Sequence, residues 1–422
     1  MRCNLTHLHP CLRKFHSNGT DQGKEAIGMK RRNDNQEGRS KTDRTLQFTA
    51  ACLSLTALTL KLPAAQASEP GISPRAILIG QSAPFSSASS ESTKRFRQGA
   101  HDALNEVNAH GGVHGRQIVM IYRDDAYEPE KARKNTETFL KKDNVFALFG
   151  YRGTATTQAA LPLIAKTNTP LIAPTTGAQL LRKPFNKLIF NVRASYHEEM
   201  EVLVKHLVRF GKDAIAIVYQ NDSFGLDALE GARAALQRLG LKPIITVPVD
   251  RNSSDTDEAV RRVALSKPKG VLILTAYPPI PSLIRKLRQR SSSAQIMTHS
   301  NSNAQNLPPD LRHSIGVSQI VPYPWNARID LIRDYQSAIR KQKKQPTYDF
   351  ASLEGYIAAR TLIQALDKAG TNPTRAGLIK SLESMQGIDL GDYKLKFSEN
   401  NHNGSNFVQL TFLMGEKGSF IH

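Results

Sequence analysis

The run Val145-Phe146-Ala147-Leu148-Phe149 is one of four short apolar runs that determine the fold class of this chain. Helical patterns at about 129–142 and 155–166 lie on either side of it, and another lies at about 93–109. The other three apolar runs have the same kind of neighbours and lie at 76–80, 117–121 and 170–173. Strands that alternate with helices in this way predict a mostly parallel sheet with helices on both faces.

A second series of the same kind begins after Asn191-Val192-Arg193. Its strands are expected at 214–219, 243–247, 271–274 and 295–297, and its helices at about 225–239, 256–266 and 279–290. From about residue 328 the pattern changes to helices at 329–343, 348–369 and 374–384, followed by short strands at about 393–397 and 407–414. Two series predict two α/β lobes, which these late elements would complete.

Residues 1–67 have the layout of an export signal rather than of a folded domain. Lys30-Arg31-Arg32 is basic, 46–62 is mostly apolar, and Ala65-Gln66-Ala67 fits the small-x-small pattern of a cleavage site. We therefore predict cleavage after Ala67 and a periplasmic location. No later run reaches the roughly 18 apolar residues that a spanning helix needs. Met1 and Met29 are both possible starts.

The chain is strongly basic, with 57 Lys and Arg against 37 Asp and Glu and a formal net charge of +20. Such a charge can indicate a nucleic-acid or membrane partner. Residues 1–67 account for +6 of it, and the remaining +14 is spread over 68–422, with no block denser than Lys341, Lys343 and Lys344. We interpret this charge as a solvated basic surface and predict no nucleic-acid partner.

The motifs of common enzyme classes are missing from the sequence, namely Gly-x-Gly-x-x-Gly after a strand, the P-loop, Gly-x-Ser-x-Gly and His-Glu-x-x-His. All three cysteines precede residue 68, which excludes disulfides and thiolate zinc sites from the rest. His110 and His114 flank two glycines and are typical of a turn rather than a metal site. The sequence therefore predicts no catalytic residues, no metal and no cofactor.

Small hydroxyl residues follow two strands of the first series. Thr154 and Ala155 come after the strand that ends at Phe149, and Thr175-Thr176-Gly177 follows the run at 170–173. Open α/β sheets bind ligands at the carboxyl ends of their strands, where helix N-termini supply N–H donors. Helix capping alone would also explain a single threonine. Two such loops on one lobe favour a site for a carboxylate or another acceptor-rich group.

These loops resemble those of periplasmic binding proteins of the leucine/isoleucine/valine-binding type. The clearest match is Pro170-Leu171-Ile172-Ala173-Pro174-Thr175-Thr176-Gly177-Ala178. Further matches follow in order within about 75–415, at 79–84, 108–116, 190–196, 219–225 and 321–325. The resemblance implies two Rossmann-like lobes that are joined by three crossovers near residues 193, 324 and 389. Lobe 1 would comprise 75–193 and 324–388, and lobe 2 would comprise 194–323 and 389–422.

The resemblance also implies a ligand site between the lobes. Thr154 falls where the family places a hydroxyl that meets a ligand carboxylate, and Thr175 and Gly177 fall where backbone groups hold the ligand head. Phe224 replaces a frequent tyrosine of the second lobe, and Ala276, next to Tyr277, replaces another aromatic residue. The predicted ligand contacts are Thr154, Ala155, Thr175, Thr176, Gly177, Tyr196, Phe224, Tyr277 and Ser300.

Ser300 is the largest departure from the family pattern. Binding proteins for branched-chain amino acids carry an acidic residue there, which pairs with the ligand ammonium. Glu198 and Asp222 are the candidates that could replace that charge. We therefore predict a small polar or carboxylate-bearing ligand, which could be amino-acid-like, an amide or an organic acid.

These observations predict an exported, monomeric solute-binding protein of an ABC-type importer. Its lobes would close on the ligand by hinge motion, and its partner would be a permease in the inner membrane. The alternative is a ligand-sensing subunit of a signalling system with the same fold.

Overall fold

The computed structural model describes residues 69–87, 90–251, 253–290, 293–385, 388–389, 393–415 and 419–421. The predicted export segment and its cleavage site after Ala67 lie outside these residues. Within the described part of the chain, no helix is both long and apolar enough to cross a bilayer.

The first sheet contains five parallel strands in the order β2-β1-β3-β4-β5. These strands are β1 (Ala76–Ala83), β2 (Gln117–Asp124), β3 (Ala147–Phe149), β4 (Leu171–Ile172) and β5 (Ile189–Phe190). The helices between them are α1 (Ser90–Ala109), α2 (Pro129–Lys141) and α3 (Thr154–Thr167). Ile77 and Ile79 of β1 are fully or almost fully buried, as expected for a sheet with both faces covered.

The second sheet has seven strands in the order β14-β13-β10-β9-β8-β6-β7. Its parallel part is β6 (Ile215–Gln220), β7 (Ile245–Val249), β8 (Gly270–Leu274), β9 (Gln295–Thr298) and β10 (Ile315–Gln319). Its helices are α4 (Tyr196–Arg209), α5 (Ser223–Arg238), α6 (Asp257–Leu265) and α7 (Pro279–Arg290). Strands β13 (Gln409–Met414) and β14 (Ser419–Ile421) extend it in antiparallel pairing, so the sheet is not parallel throughout.

The late helices return to the first sheet. They are α8 (Asp330–Gln342), α9 (Phe350–Ala369) and α10 (Arg375–Glu383), and α9 packs along the length of α1. A Cβ atom on Gly99 would lie 1.7 Å from the carbonyl oxygen of Ser352, so glycine is required for this close approach. The chain therefore passes between the sheets three times: after β5, between β10 and α8, and between α10 and β13.

Some elements differ from those predicted. Helix α4 was not predicted, although Ser195 and Glu198 form a capping box at its start, a pattern that is visible in the sequence. Strand β10 was also missed, because Gly316 and Ser318 interrupt its apolar pattern. The strand expected at 393–397 is not part of either large sheet: among the described residues, β12 (Lys394–Leu395) pairs with β11 (Ile388–Asp389) in a separate two-stranded sheet.

Candidate functional site

A cleft lies where the carboxyl ends of strands from the two sheets meet. It encloses about 340 Å³ of empty space, open solvent included. Its lining residues all come from segments that follow a strand: Tyr127, Arg152, Gly153, Thr154 and Thr175 after β2 to β4, Tyr196 at the start of α4, and Phe224, Ala276, His299 and Asn301 after β6, β8 and β9. This is the position at which open α/β sheets bind ligands.

The predicted threonines lie close together on the first-lobe side. Thr154 and Thr175 line the cleft, and Thr176 lies beside Thr154, with 2.7 Å between their hydroxyl oxygens. Helix α3 begins at Thr154 after Gly153, which has a φ of 95° and no side chain to cap the helix. The N–H groups of its first turn are therefore not used by a side-chain cap.

Five of the nine predicted contacts do not line this cleft, namely Ala155, Thr176, Gly177, Tyr277 and Ser300. Gly177 lies behind it, where its carbonyl oxygen accepts a 2.9 Å hydrogen bond from the Tyr196 N–H. Ala155 is half-buried in the first turn of α3, and Tyr277 donates its hydroxyl to the carbonyl oxygen of Asn306 at 3.1 Å. Thr176 is fully buried. The structure brings Thr154, Thr175, Tyr196 and Phe224 together in the cleft.

Ser300 also lies outside the cleft lining. Its N–H donates to Glu199 Oε2 at 2.9 Å, and its hydroxyl contacts both Glu199 and Arg193. The two candidates for replacing its lost charge have structural partners: Glu198 completes the cap of α4, and Asp222 caps α5 and pairs with Arg251 at 3.0 Å. No Asp or Glu is among the residues that line the cleft.

The cleft residues absent from the predicted contacts are Tyr127, Arg152, Gly153, Ala276, His299 and Asn301, and Arg152 is the charged one among them. The residue is buried, with 7% of its surface exposed. Its Nη1 donates to Asn301 Oδ1 at 3.4 Å, and no carboxylate lies within ion-pair distance in the described part of the chain. Burial lowers its pKa, and Glu354 and nearby tyrosines only partly offset this. The available signal was an arginine in a glycine-flanked turn after a buried strand.

Aromatic rings form the second-lobe side of the cleft. The ring centroid of Phe224 lies 5.0 Å from that of Tyr196 and 5.0 Å from that of His299. The His299 Nε2 lies 3.0 Å from the carbonyl oxygen of Thr275, and Nδ1 accepts from the Asn301 N–H at 3.2 Å. Burial lowers the pKa of His299, which favours the neutral ring. Both its nitrogens are engaged, and no metal-binding group of three or more His, Cys, Asp and Glu occurs among the described residues.

Contacts across the cleft join the two lobes. Arg251, which follows β7, donates to the carbonyl oxygen of Tyr127 at 2.8 Å, and its guanidinium lies 4.8 Å from the centre of the Tyr127 ring. Asn301 Nδ2 donates to the carbonyl oxygen of Thr175 at 3.2 Å. Tyr127 and Thr175 follow strands of the first sheet, so these bonds hold the lobes against each other.

A second buried arginine lies where the chain first passes between the sheets. Arg193 contacts Glu199 of α4 at 3.0 Å and Glu354 of α9 at 3.2 Å, and its side chain is fully buried. Burial alone would lower the pKa of Arg193, but the carboxylates of Glu354 and Glu199 outweigh it and raise that pKa. This network ties a helix of each lobe to the passage between them.

The fold and the cleft define the class of protein: a two-lobed α/β protein of the type I periplasmic binding fold. A family model described as periplasmic binding protein matches residues 76–413, and the chain belongs to this family. The family consists of substrate-binding proteins that are not enzymes, so the predicted family, fold class and lack of catalysis are confirmed.

Individual relatives are distant but cover most of the chain. An amino acid binding protein of Pseudomonas aeruginosa is 24% identical over 309 residues, which is 71% of this chain and 81% of that protein. A possible leucine/isoleucine/valine-binding protein from Rhodopirellula baltica has a solved structure with 28% identity, a TM-score of 0.77 and coverage of 84% of this chain and 98% of that one. A fatty acid ABC transporter substrate-binding protein from Thermomonospora curvata has 22% identity, a TM-score of 0.74 and coverage of 84% and 92%.

Proposed function

We propose that this chain is an exported solute-binding protein of an ABC-type importer, and that its cleft binds a small organic acid. The observation that carries this proposal is Arg152, a buried cation without a carboxylate partner in the described part of the chain. Burying a charge without a partner costs several kcal/mol, so such a site favours an anion. A guanidinium suits a carboxylate because it can donate two parallel hydrogen bonds to it.

Neighbouring groups supply further donors for the same carboxylate. The hydroxyl of Thr154 lies at the start of α3, and Thr175 lines the cleft beside it. The free N–H groups of the first turn of α3 add a partial positive charge that favours an anion. Three kinds of donor on the first lobe would therefore converge on the acidic end of the ligand.

The part of the ligand next to its carboxylate is expected to be apolar. Tyr196, Phe224 and the neutral ring of His299 form the opposite side of the cleft. Because no acidic residue lines the cleft, an α-ammonium group would have no counter-charge there. An organic acid without an α-amino group fits better than an α-amino acid, and a carboxylate is common to the ligands in the names of the Pseudomonas and Thermomonospora proteins.

Transport would follow from closure of the lobes. We place lobe 1 at 75–193 and 324–388 and lobe 2 at 194–323 and 389–422, so that rotation occurs at the three passages between them. Residues 1–67 would direct export to the periplasm, where the closed monomer meets an inner-membrane permease. Binding energy that is gained only in the closed form would drive this closure.

The test is a thermal-shift and calorimetry screen of the protein purified from periplasmic extract. Matched pairs isolate each group: an acid against its amide, and an α-amino acid against its desamino analogue. A ligand at 100 times its Kd adds about 2.7 kcal/mol of stability. We expect shifts with acids, none with their amides, and stronger binding of the desamino compound.

Arg152→Met should abolish these shifts, whereas Arg233→Met, at an exposed position of α5, should leave them unchanged. Equal binding of acids and amides, or normal acid binding by Arg152→Met, would contradict the proposal.

A further inference from the structure

A second cavity adjoins the cleft. Asn301 lines both cavities, and the second has about 10 Å³ of space for the centre of a water-sized group. We call this second cavity the acceptor pocket. Its polar lining includes Ser92 of α1, Glu354 of α9, Asn303 after β9 and Gln319 of β10. Two of these residues belong to helices on the first sheet and two to the second-sheet side, so a group bound there would contact both lobes.

Two buried side chains of the acceptor pocket have unsatisfied polar atoms. Ser92 is 4% exposed and Asn303 is 3% exposed, and neither Ser92 Oγ nor Asn303 Oδ1 has a hydrogen-bond partner in the described part of the chain. A buried polar atom without a partner costs about 1–3 kcal/mol. Both atoms can accept a hydrogen bond, so a ligand that carries a donor would satisfy them.

Charge points to the same kind of ligand group. Arg193 donates hydrogen bonds to Oε1 of Glu354 and to Oε1 of Glu199, so two carboxylates share one guanidinium. The cluster of these three side chains carries one excess negative charge when all are ionised. Arg152 lies nearby and balances it, yet a ligand carboxylate on Arg152 would use that positive charge. No Lys or Arg lines the acceptor pocket.

We propose that the acceptor pocket binds the far end of the same ligand, and that this end carries an amino group. This inference rests on the proposed function, since it requires the carboxylate at Arg152. The cleft then separates two opposite charges along one molecule. An α-amino group has no acidic partner in the cleft, whereas a distal amino group has Glu354, Ser92 and Asn303. The ligand class is therefore an acid with a distal amino group.

The experiment compares straight-chain acids from butanoate to octanoate in three forms: unsubstituted, with a terminal hydroxyl, and with a terminal amino group. Calorimetry on the protein purified from periplasmic extract gives their affinities. At the chain length that spans the two cavities, we expect the amino form to bind about tenfold tighter than the unsubstituted acid, because a hydrogen bond to a charged group is worth that much. The hydroxyl form should lie between them.

Substitutions in α1 test whether the affinity gained from the terminal amino group depends on Ser92. Ser92→Ala should remove most of the tenfold difference between the amino form and the unsubstituted acid. Thr93→Val is the matched control, because the Thr93 hydroxyl is also buried and without a described partner but does not line the pocket. Acids that bind with no gain from an amino group at any length, or a gain that survives Ser92→Ala, would overturn this inference and leave the proposed function standing. Failure of every acid to bind would overturn both.

Discussion

Two of the three arginines that are buried in the described part of the chain, Arg193 and Arg152, have opposite surroundings, while the third, Arg182, donates to the backbone carbonyl oxygens of Ala178 and Arg193. Arg193, at the first passage between the lobes, is fully buried and has two carboxylates within 3.2 Å, Glu199 and Glu354. Arg152, in the cleft, is almost as buried and has one long hydrogen bond to an amide. The pKa of Arg193 is raised by its carboxylates despite burial, whereas burial lowers the pKa of Arg152.

The difference separates a structural charge from a functional one. A buried cation whose counter-charges are supplied by the protein contributes to the folded state and has no need of an anionic ligand. A buried cation with an incomplete set of partners makes the free protein less stable and the liganded protein more stable. The network at Arg193 is therefore expected to determine stability, and Arg152 is expected to determine binding.

The largest expected effect is the loss of unfolding free energy caused by Arg193→Met. This change leaves Glu199 and Glu354 buried without their cation, so we expect the free energy of unfolding to fall by about 3–5 kcal/mol. Urea unfolding followed by circular dichroism measures it. Arg152→Met is the matched control, because it removes a buried guanidinium but no ion pair, and it should be as stable as the parent protein or slightly more stable. Equal stability of the two variants would remove the distinction.

The next largest effect concerns the binding free energy and the Arg152 position. Arg152→Met should lose about 2–3 kcal/mol of binding free energy for the best acid found, because a charge-assisted hydrogen-bond pair is removed. Arg152→Lys should recover only part of it, since an ammonium cannot form the bidentate pair. Calorimetry gives both values. A loss of unfolding free energy as large as the loss of binding would show that Arg152 also has a structural role.

The sequence analysis predicted a role for neither Arg152 nor Arg193. The repeated strands and helices were predictable because their apolar pattern is local. The partners of the arginines are not local: Glu354 is 161 residues from Arg193, and Asn301 is 149 residues from Arg152. The resemblance to a family predicted ligand contacts at Thr154 and Phe224 but gave no information about Arg152.

The same limit applies to strand β10, which was missed, but not to α4, whose capping box is visible in the sequence. Strand β10 contains Gly316 and Ser318, which look unlike a buried strand in sequence. In the structure, a Cβ atom on Gly316 would lie 2.1 Å from the sulfur of Met297, and Ser318 donates to the buried Glu199 at 2.6 Å. Both reasons for its composition lie on neighbouring elements, so only the folded arrangement reveals them.

A buried carboxylate extends the comparison to the opposite charge. Asp125 follows β2, is fully buried, and accepts hydrogen bonds from the Ser82 hydroxyl at 2.8 Å and the Tyr127 N–H at 2.9 Å. Burial raises its pKa to about 7. The folded protein therefore holds this proton more tightly than the unfolded chain, in which the pKa is about 3.9. Its contribution to stability is full below that value and is lost as the pH rises through about 7.

We therefore expect the Asp125 carboxyl to lower stability by up to about 1.4 kcal/mol per pH unit between about pH 4 and pH 7. Asp125→Asn should remove this slope, as measured by urea unfolding at several pH values. Asp124→Asn is the control: hydrogen bonds from Ser86 and backbone groups outweigh partial burial and lower the pKa of Asp124, so it titrates below this range. An unchanged slope in Asp125→Asn would mean that the carboxyl is not kept protonated by the fold.

The smallest effect concerns Arg251, which shares one feature with Arg193 and one with Arg152. It has a carboxylate partner, Asp222, as Arg193 has, but it reaches across the cleft to the carbonyl oxygen of Tyr127 at 2.8 Å. Its side chain is 18% exposed, so solvent weakens both contacts, and their loss should cost the closed form about 0.5–1.5 kcal/mol. The Arg251→Gln variant should therefore release an acid a few times faster than the parent protein, with the free energy of unfolding nearly unchanged.

Stopped-flow dissociation measures this rate, and Arg261→Gln, which removes an exposed ion pair on α6, is the control. If Arg251→Gln releases the ligand at the parent rate, the bond to Tyr127 does not hold the lobes closed. If the free energy of unfolding of Arg251→Gln falls as far as that of Arg193→Met, the ion pair of Arg251 with Asp222 stabilises the folded state, because loss of the contact across the cleft alone would not cause so large a decrease.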